Sequence, residues 1–194
     1  MLKLVEFSGM GPKPNFTDAE VFWAMHFMQA RRICRKDLSV LLGIGEGTVR
    51  TIINILRDSG MLVVSRHGNV LNAVGRSFMD AIPIRVTDLQ VPSIAVGPRI
   101  QTLIVHGAGD SFVNGSEQRN TAITSGGSGC TLIRCTDGHL FMPPDWDLDV
   151  REPALAAEMR AGPELREGDA VVIGSGETDQ AARKAAATVA LSLL

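Results

Sequence analysis

The chain has 194 residues, 45% of them hydrophobic and 21% charged, with a formal net charge of −2. This is the composition of a soluble globular chain of one or two domains, and apolar runs such as "SIAVG" and "AVVIG" fall far short of the roughly 20 residues that cross a bilayer. The opening "MLKLVEFSGMGPKPN" has no apolar core with a cleavage site, and three cysteines without a CxxC pair argue against a disulfide framework, so a reduced, cytoplasmic setting is expected.

After an amino-terminal arm (residues 1–16), "NFTDAEVFWAMHFMQA" begins with Thr17 and, three residues on, Glu20. That is a capping box, with Phe16 and Val21 placed for a hydrophobic staple. A helix from Asp18 to about Ala30 follows, with Val21, Met25 and Met28 on one face. Trp23 and Phe27 read as core or dimer contacts. "KDLSVLLG" predicts a short second helix stopped by Gly43. The chain then turns at Gly43–Gly45 and enters a third helix that ends at Gly60. Its apolar positions Val49, Ile52, Ile53 and Leu56 recur at i, i+3, i+4 and i+7, which is one buried stripe.

That stripe leaves Thr48, Arg50, Thr51, Asn54 and Arg57 largely outside it, residue types that contact base edges and phosphates from a helix in the major groove. The third helix also opens with free backbone N–H groups suited to a phosphate. "MLVVSRHGNVLNAVG" predicts two short strands around a turn at His67–Gly68–Asn69. Arg66 and His67 at its tip would reach a neighbouring phosphate or the minor groove. A last helix in "RSFMDAI" leads to Pro83. Three helices and a two-stranded wing, carried by "LLGIGEGTVRTIINILRDSGMLVVSRHG", resemble the winged helix-turn-helix domains of prokaryotic transcription regulators. Such winged helices often have Thr where Asn72 stands here. The charge distribution is compatible with a nucleic-acid partner: residues 17–82 hold eight Lys/Arg and six Asp/Glu, whereas residues 83–194 hold nine and fourteen.

Residues 84–194 predict a small α/β domain, so the whole is an α+β chain of two domains, with the winged helix over residues 17–83. "IPIRVTDLQVPSIAVGPRIQTLIVHGAG" reads as several strands punctuated by Pro92, Gly97 and Pro98. A helix from about Ser116 to Thr124 follows, stopped by Gly126 and Gly127. "CTLIRCTDGHLFMP" is a hairpin closed at Asp137–Gly138, "PALAAEMRAG" a short helix, and "GDAVVIGSGETDQAARKAAATVALSLL" a buried strand, a glycine turn and an Ala-rich closing helix.

Two glycine segments here are candidate ligand sites. In "SGGSGC" the amides of Gly126, Gly127 and Gly129 could cradle an anion, although no P-loop Lys-Ser/Thr follows. Gly174, Ser175 and Gly176 would lie between a strand and a helix amino terminus, where Glu177 and Asp179 oppose an anion and fit a plain helix cap. "DWDLDV" would put Asp145, Asp147 and Asp149 on one side of an extended strand; it departs from a calcium loop at Val150 and Ala156 and reads as a solvated edge. Among four histidines, His106 before "GAGD" stands out. No catalytic set, metal site or cofactor is assigned.

"NGSEQRNTAITSGGSGCTLIRCTDGHLFMP", followed by the strand and Ala-rich helix, resembles a C-terminal domain of unknown function found in archaeal winged-helix proteins that are predicted transcriptional regulators. The resemblance covers nearly the whole chain. It implies architecture more than mechanism; taken with the outward face of the third helix, it leads to the expectation of a sequence-specific regulator binding double-stranded DNA as a homodimer, whose second domain senses a small-molecule effector, dimerises, or both. Arg50, Thr51 and Asn54 would then read bases, while Thr48, Arg57, Arg66 and His67 hold phosphates. Two alternatives stand beside it. One is a small nucleotide- or phosphate-handling enzyme with a regulatory winged helix, as in archaeal CTP-dependent riboflavin kinases. The other is a winged helix that binds protein.

Overall fold

The computed structural model describes residue 4, residues 15–162 and residues 164–194. The expected amino-terminal arm therefore lies almost wholly outside the described residues. The chain divides between Ile82 and Pro83 into two compact units.

The amino-terminal unit begins with helix α1 (Asp18–Ala30), whose capping box is formed: the Thr17 N–H donates to Glu20 Oε2 at 2.8 Å. Phe16, Val21, Met25 and Met28 are buried, as the staple and the apolar face require. Trp23 is also buried, in edge-on contact with the rings of Phe22 and His26, so it is a core residue. Helix α2 (Arg35–Leu42) ends at Gly43, which takes the left-handed conformation (φ 69°) that suits glycine. Helix α3 (Glu46–Asp58) follows after Gly43–Gly45, and α2 and α3 are bent by 109° to one another across that break.

The stripe on α3 is buried as its spacing predicts: Val49, Ile52 and Leu56 are at most 1% exposed and Ile53 is 8% exposed. Each such side chain stabilises the fold by about 1.5–3 kcal/mol on leaving water. A rotation of α3 that turned Arg50 inward would forfeit this and bury a charge as well.

Strands β1 (Leu62–Ser65) and β2 (Gly68–Leu71) form an antiparallel hairpin in which Ser65 pairs with Gly68. The turn is thus Arg66–His67, one residue earlier than expected. The reason lies at Gly68, which alone takes the positive φ (115°) and belongs to the strand. A β-carbon there would stand 2.6 Å from the Ile33 carbonyl oxygen, because Ile33 and Asn69 exchange backbone hydrogen bonds of 2.9 and 2.8 Å.

Helix α4 (Ala73–Ala81) starts earlier than "RSFMDAI" suggests. Asn72 is its cap: Oδ1 accepts from the Gly75 N–H at 3.0 Å, while Nδ2 donates to the Gly60 carbonyl at 2.7 Å. The amide thus joins the start of α4 to the end of α3, with both a donor and an acceptor where threonine has only a hydroxyl.

The carboxy-terminal unit is built on one six-stranded sheet. Its strands are β3 (Ile84–Thr87), β4 (Arg99–Val105), β5 (Gly129–Thr136), β6 (His139–Met142), β7 (Trp146–Asp147) and β8 (Ala170–Gly176), in the order β3-β4-β8-β5-β6-β7. Every neighbouring pair is antiparallel, which corrects the α/β expectation for this unit. The β5–β6 turn is as expected: Asp137 (φ 52°) and Gly138 (φ 76°) both take positive φ, the signature of a two-residue hairpin turn.

Directly paired residues of antiparallel strands project to the same side. Leu103, Val172 and Leu132 therefore share one face, against which α5 (Ser116–Thr124) and α8 (Asp179–Ser192) pack. Ile133, Val171 and Ile173 face the other way. They form a core with Leu148 of α6 (Leu148–Arg151), Ala156 and Met159 of α7 (Pro153–Ala161), and Leu89 and Val91 from the β3–β4 connection.

Candidate nucleic-acid interface

The buried stripe of α3 fixes what the helix turns outward. Arg50, Thr51 and Arg57 are exposed, and Thr48 and Asn54 are half-buried. Gly47 lies in the middle of the outward face with open space around its missing β-carbon. Thr51 Oγ1 donates back to the Gly47 carbonyl at 3.3 Å. Arg57 pairs with Asp58 at 2.9 Å, whereas the Arg50 side chain makes no hydrogen bond or ion pair with any described residue. Arg66 and His67 are exposed at the hairpin turn, Arg66 Nε lying 3.2 Å from His67 Nε2. All seven expected DNA-contacting residues thus belong to α3 or to the turn of the hairpin in the same compact unit.

Two further arginines lie against these elements. Arg32 Nη1 donates to Ser65 Oγ (2.8 Å) and to the Gly68 carbonyl (3.1 Å), the residues that flank the hairpin turn. Arg35 Nε pairs with Glu46 Oε2 (2.9 Å) in the first turn of α3. Neither is among the residues expected from the sequence, although "RRICRK" carries four cations in six residues and so marks the segment.

The glycine segments of the other unit are placed differently from expectation. Gly174, Ser175 and Gly176 are not a turn; they are buried residues of β8, all three paired with β4 and the first two also with β5. Their glycines make room for α8. A β-carbon on Gly174 would lie 2.4 Å from the Ala186 nitrogen, and one on Gly176 would lie 2.7 Å from Ala181 Cβ. Ser175 Oγ accepts from the Val96 N–H at 3.2 Å.

Three successive amides of "SGGSGC" are likewise taken. Gly126 N–H donates to Ile123 O, Gly127 N–H to Ala122 O, and Ser128 N–H to Ser175 O, at 2.8–3.0 Å. Gly127 touches Ala185 of α8, and Gly129 (φ 142°) lies within β5. An anion would find these donors already engaged. The small residues of α8 are used in this packing too: Ala182, Ala185, Ala186, Ala187, Val189 and Ala190 are buried. This face of α8 therefore lies inside the unit.

Among the described residues, His139, Asp147 and Asp149 bring ligand-capable atoms within 4.8 Å of one another. Only Trp146–Asp147 is extended; Asp147 then caps α6, accepting from the Val150 N–H at 3.2 Å, so the three aspartates do not share one strand edge. His139 Nδ1 lies 2.8 Å from Asp147 Oδ2. Asp149 accepts the Leu140 N–H at 2.7 Å and both terminal nitrogens of Arg160. The Arg160 bonds, ahead of the cost of burial, hold the Asp149 carboxyl below its ordinary range and raise the Arg160 guanidinium. These acids knit α6 and α7 to the β5–β6 hairpin.

His106 Nδ1 lies 3.0 Å from the buried Asp169 carboxylate, whose other oxygen accepts the Arg166 N–H at 2.9 Å. The pair joins the end of β4 to the start of β8. Burial pushes the Cys130 and Cys135 thiols up to about 12, so neither is a thiolate at neutral pH.

Among solved structures, the hypothetical protein PH0730 from Pyrococcus horikoshii OT3 is similar, with a TM-score of 0.72, 23% identity and 91% of each chain covered. At that identity the likeness speaks to the fold alone. No curated protein matches the chain. A family described as a domain of unknown function (DUF4443) matches residues 96–193, which is 98 of the 194 positions and takes in most of the sheet unit. The chain belongs to the DUF4443 family.

Proposed function

We propose that residues 17–82 form a winged helix-turn-helix that binds duplex DNA, and that the chain is a transcriptional regulator. The observation that carries this reading is the arrangement of α2 and α3. Two helices bent by 109° across a glycine turn fall within the range of helix-turn-helix motifs, roughly 90–120°. The second of them presents Arg50, Thr51 and Asn54 opposite its buried stripe. In this reading α3 enters the major groove, where Arg50 meets a base edge. The hairpin is the wing, and Arg66 and His67 at its turn hold backbone phosphate.

A two-fold operator would be read by two copies whose α3 helices lie about 34 Å apart. The sheet unit then supplies pairing of the copies, response to an effector, or both. Its glycine segments are used in packing, which supports this regulatory reading over an enzyme that grips phosphate there.

Selection of duplexes from a random pool tests the assignment. Enrichment of a preferred sequence, bound more weakly by a combined Arg50→Ala/Arg66→Ala variant, is expected. Equal binding by that variant and the unaltered protein would refute it.

A further inference from the structure

We propose that Arg31–Lys36 is a backbone-phosphate contact, joining the wing turn to the amino end of α3 into one continuous DNA-binding ridge. The proposal rests on the duplex-DNA reading of the same unit and adds residues and a role to it. Between 31 and 45 the chain has four cations and one acid, Asp37. Arg31, Arg32 and Lys36 are exposed.

The segment's place is fixed by the backbone. Ile33, buried at 2% exposure, exchanges hydrogen bonds with Asn69 of β2 and so holds its neighbours against the hairpin. On one side Arg32 grips Ser65 and Gly68, the two ends of the wing turn. On the other side Arg35 neutralises Glu46, an acid that favours the start of α3 but would repel a phosphate there. The side chains of Arg31 and Lys36 make no hydrogen bond or ion pair with any described residue, so neither charge is cancelled among those residues.

A duplex seated on α3 and the wing passes this segment, and sugar–phosphate is the polyanion that complements it. Such contacts supply affinity without reading bases. Arg32 has a second part: it is a positioning residue that sets the wing turn, because one terminal nitrogen of its guanidinium binds both ends of that turn.

The test uses the full chain and two duplexes, a selected one and a scrambled one, over a range of salt concentrations. Removing both free charges (Arg31→Gln with Lys36→Gln) is expected to flatten the slope of log K against log salt by about 0.9 for each phosphate that is no longer neutralised. Affinity is expected to fall by the same factor on both duplexes. Lys36→Gln alone gives about half that change and serves if the double variant is poorly folded. Arg32→Lys, which keeps the charge but ends one bond short of the Nη1 position that reaches Ser65 and Gly68, is expected to keep the salt slope while weakening binding to both duplexes.

An unchanged slope in the charge-removal variants overturns the proposal while leaving the α3 reading intact. A loss confined to the selected duplex also overturns it, since that is base reading. Failure of the unaltered protein to bind either duplex at low salt defeats both readings and points to an acidic protein partner.

Discussion

Gly174 of β8 and Ala186 of α8 approach so closely that a β-carbon on the glycine would stand 2.4 Å from the alanine's backbone nitrogen. The same methyl would meet the Ala182 carbonyl oxygen at 2.7 Å. Both obstacles are backbone, so neither can swing away as a side-chain tip would.

Gly174→Ala is therefore expected to lever α8 off the sheet and to cost about 3 kcal/mol, the upper end of ordinary overpacking. Urea denaturation of the variant beside the unaltered protein measures it. Gly138→Ala is a suitable comparison: nothing lies within 4 Å of its missing β-carbon, so its cost comes from its positive φ alone. If Gly174→Ala were as stable as the unaltered chain, the packing account of "VVIGSG" would fail and a loop-like role would return.

Local signals in the sequence are enough to place much of this fold. Thr17 with Glu20 marks the start of α1, Gly43 the end of α2, and Asp137–Gly138 the β5–β6 turn, because each depends on residues within four of one another. The stripe Val49–Leu56 sets the orientation of α3, and with it the outward set around Arg50. The glycines of β8 are not legible in that way. Glycine ahead of a helix fits a phosphate loop and a tight helix–sheet seam equally well, and the choice depends on Ala182 and Ala186 further along the chain. The antiparallel order of the sheet is likewise a matter of long-range pairing, which a strand followed by a helix does not reveal. At the β1–β2 hairpin, the positive φ sits on Gly68 because the Ile33 carbonyl leaves no room for a side chain. That neighbour is 35 residues away in sequence, so local signals place the turn one residue late.

The bond between Asp149 and Arg160 gives the sheet unit a sensitivity to acid. Because Arg160 makes the folded carboxyl hold its proton less tightly than the unfolded one does, the stabilisation is present above the ordinary aspartate value of about 3.9. It is lost as pH falls through the lower, folded value. Arg160→Gln returns Asp149 toward ordinary behaviour. The variant is expected to be less stable at neutral pH and to converge on the unaltered protein in acid. Unfolding free energies measured from neutral pH into acid check this; a constant gap across the series would show that Arg160 acts instead through packing and the bond that its Nη2 donates to the Gly138 carbonyl at 2.9 Å.

Gly47 separates stability from function on α3. It sits in the first turn of the helix with ordinary backbone angles and open space where a β-carbon would go, so alanine fits. Alanine in a helix is favoured over glycine by roughly 0.5–1 kcal/mol, and Gly47→Ala is expected to raise stability by up to about that amount. The added methyl would stand in the middle of the face that, in the DNA-binding reading, lies against the groove, between Arg50 and the helix amino end. Binding to a selected duplex is expected to weaken severalfold while thermal stability rises, a pair of changes in opposite directions that damage to the fold cannot produce. Should the variant gain stability and bind the duplex as before, α3 would not lie close to DNA at Gly47, and its role as the recognition helix would have to be abandoned.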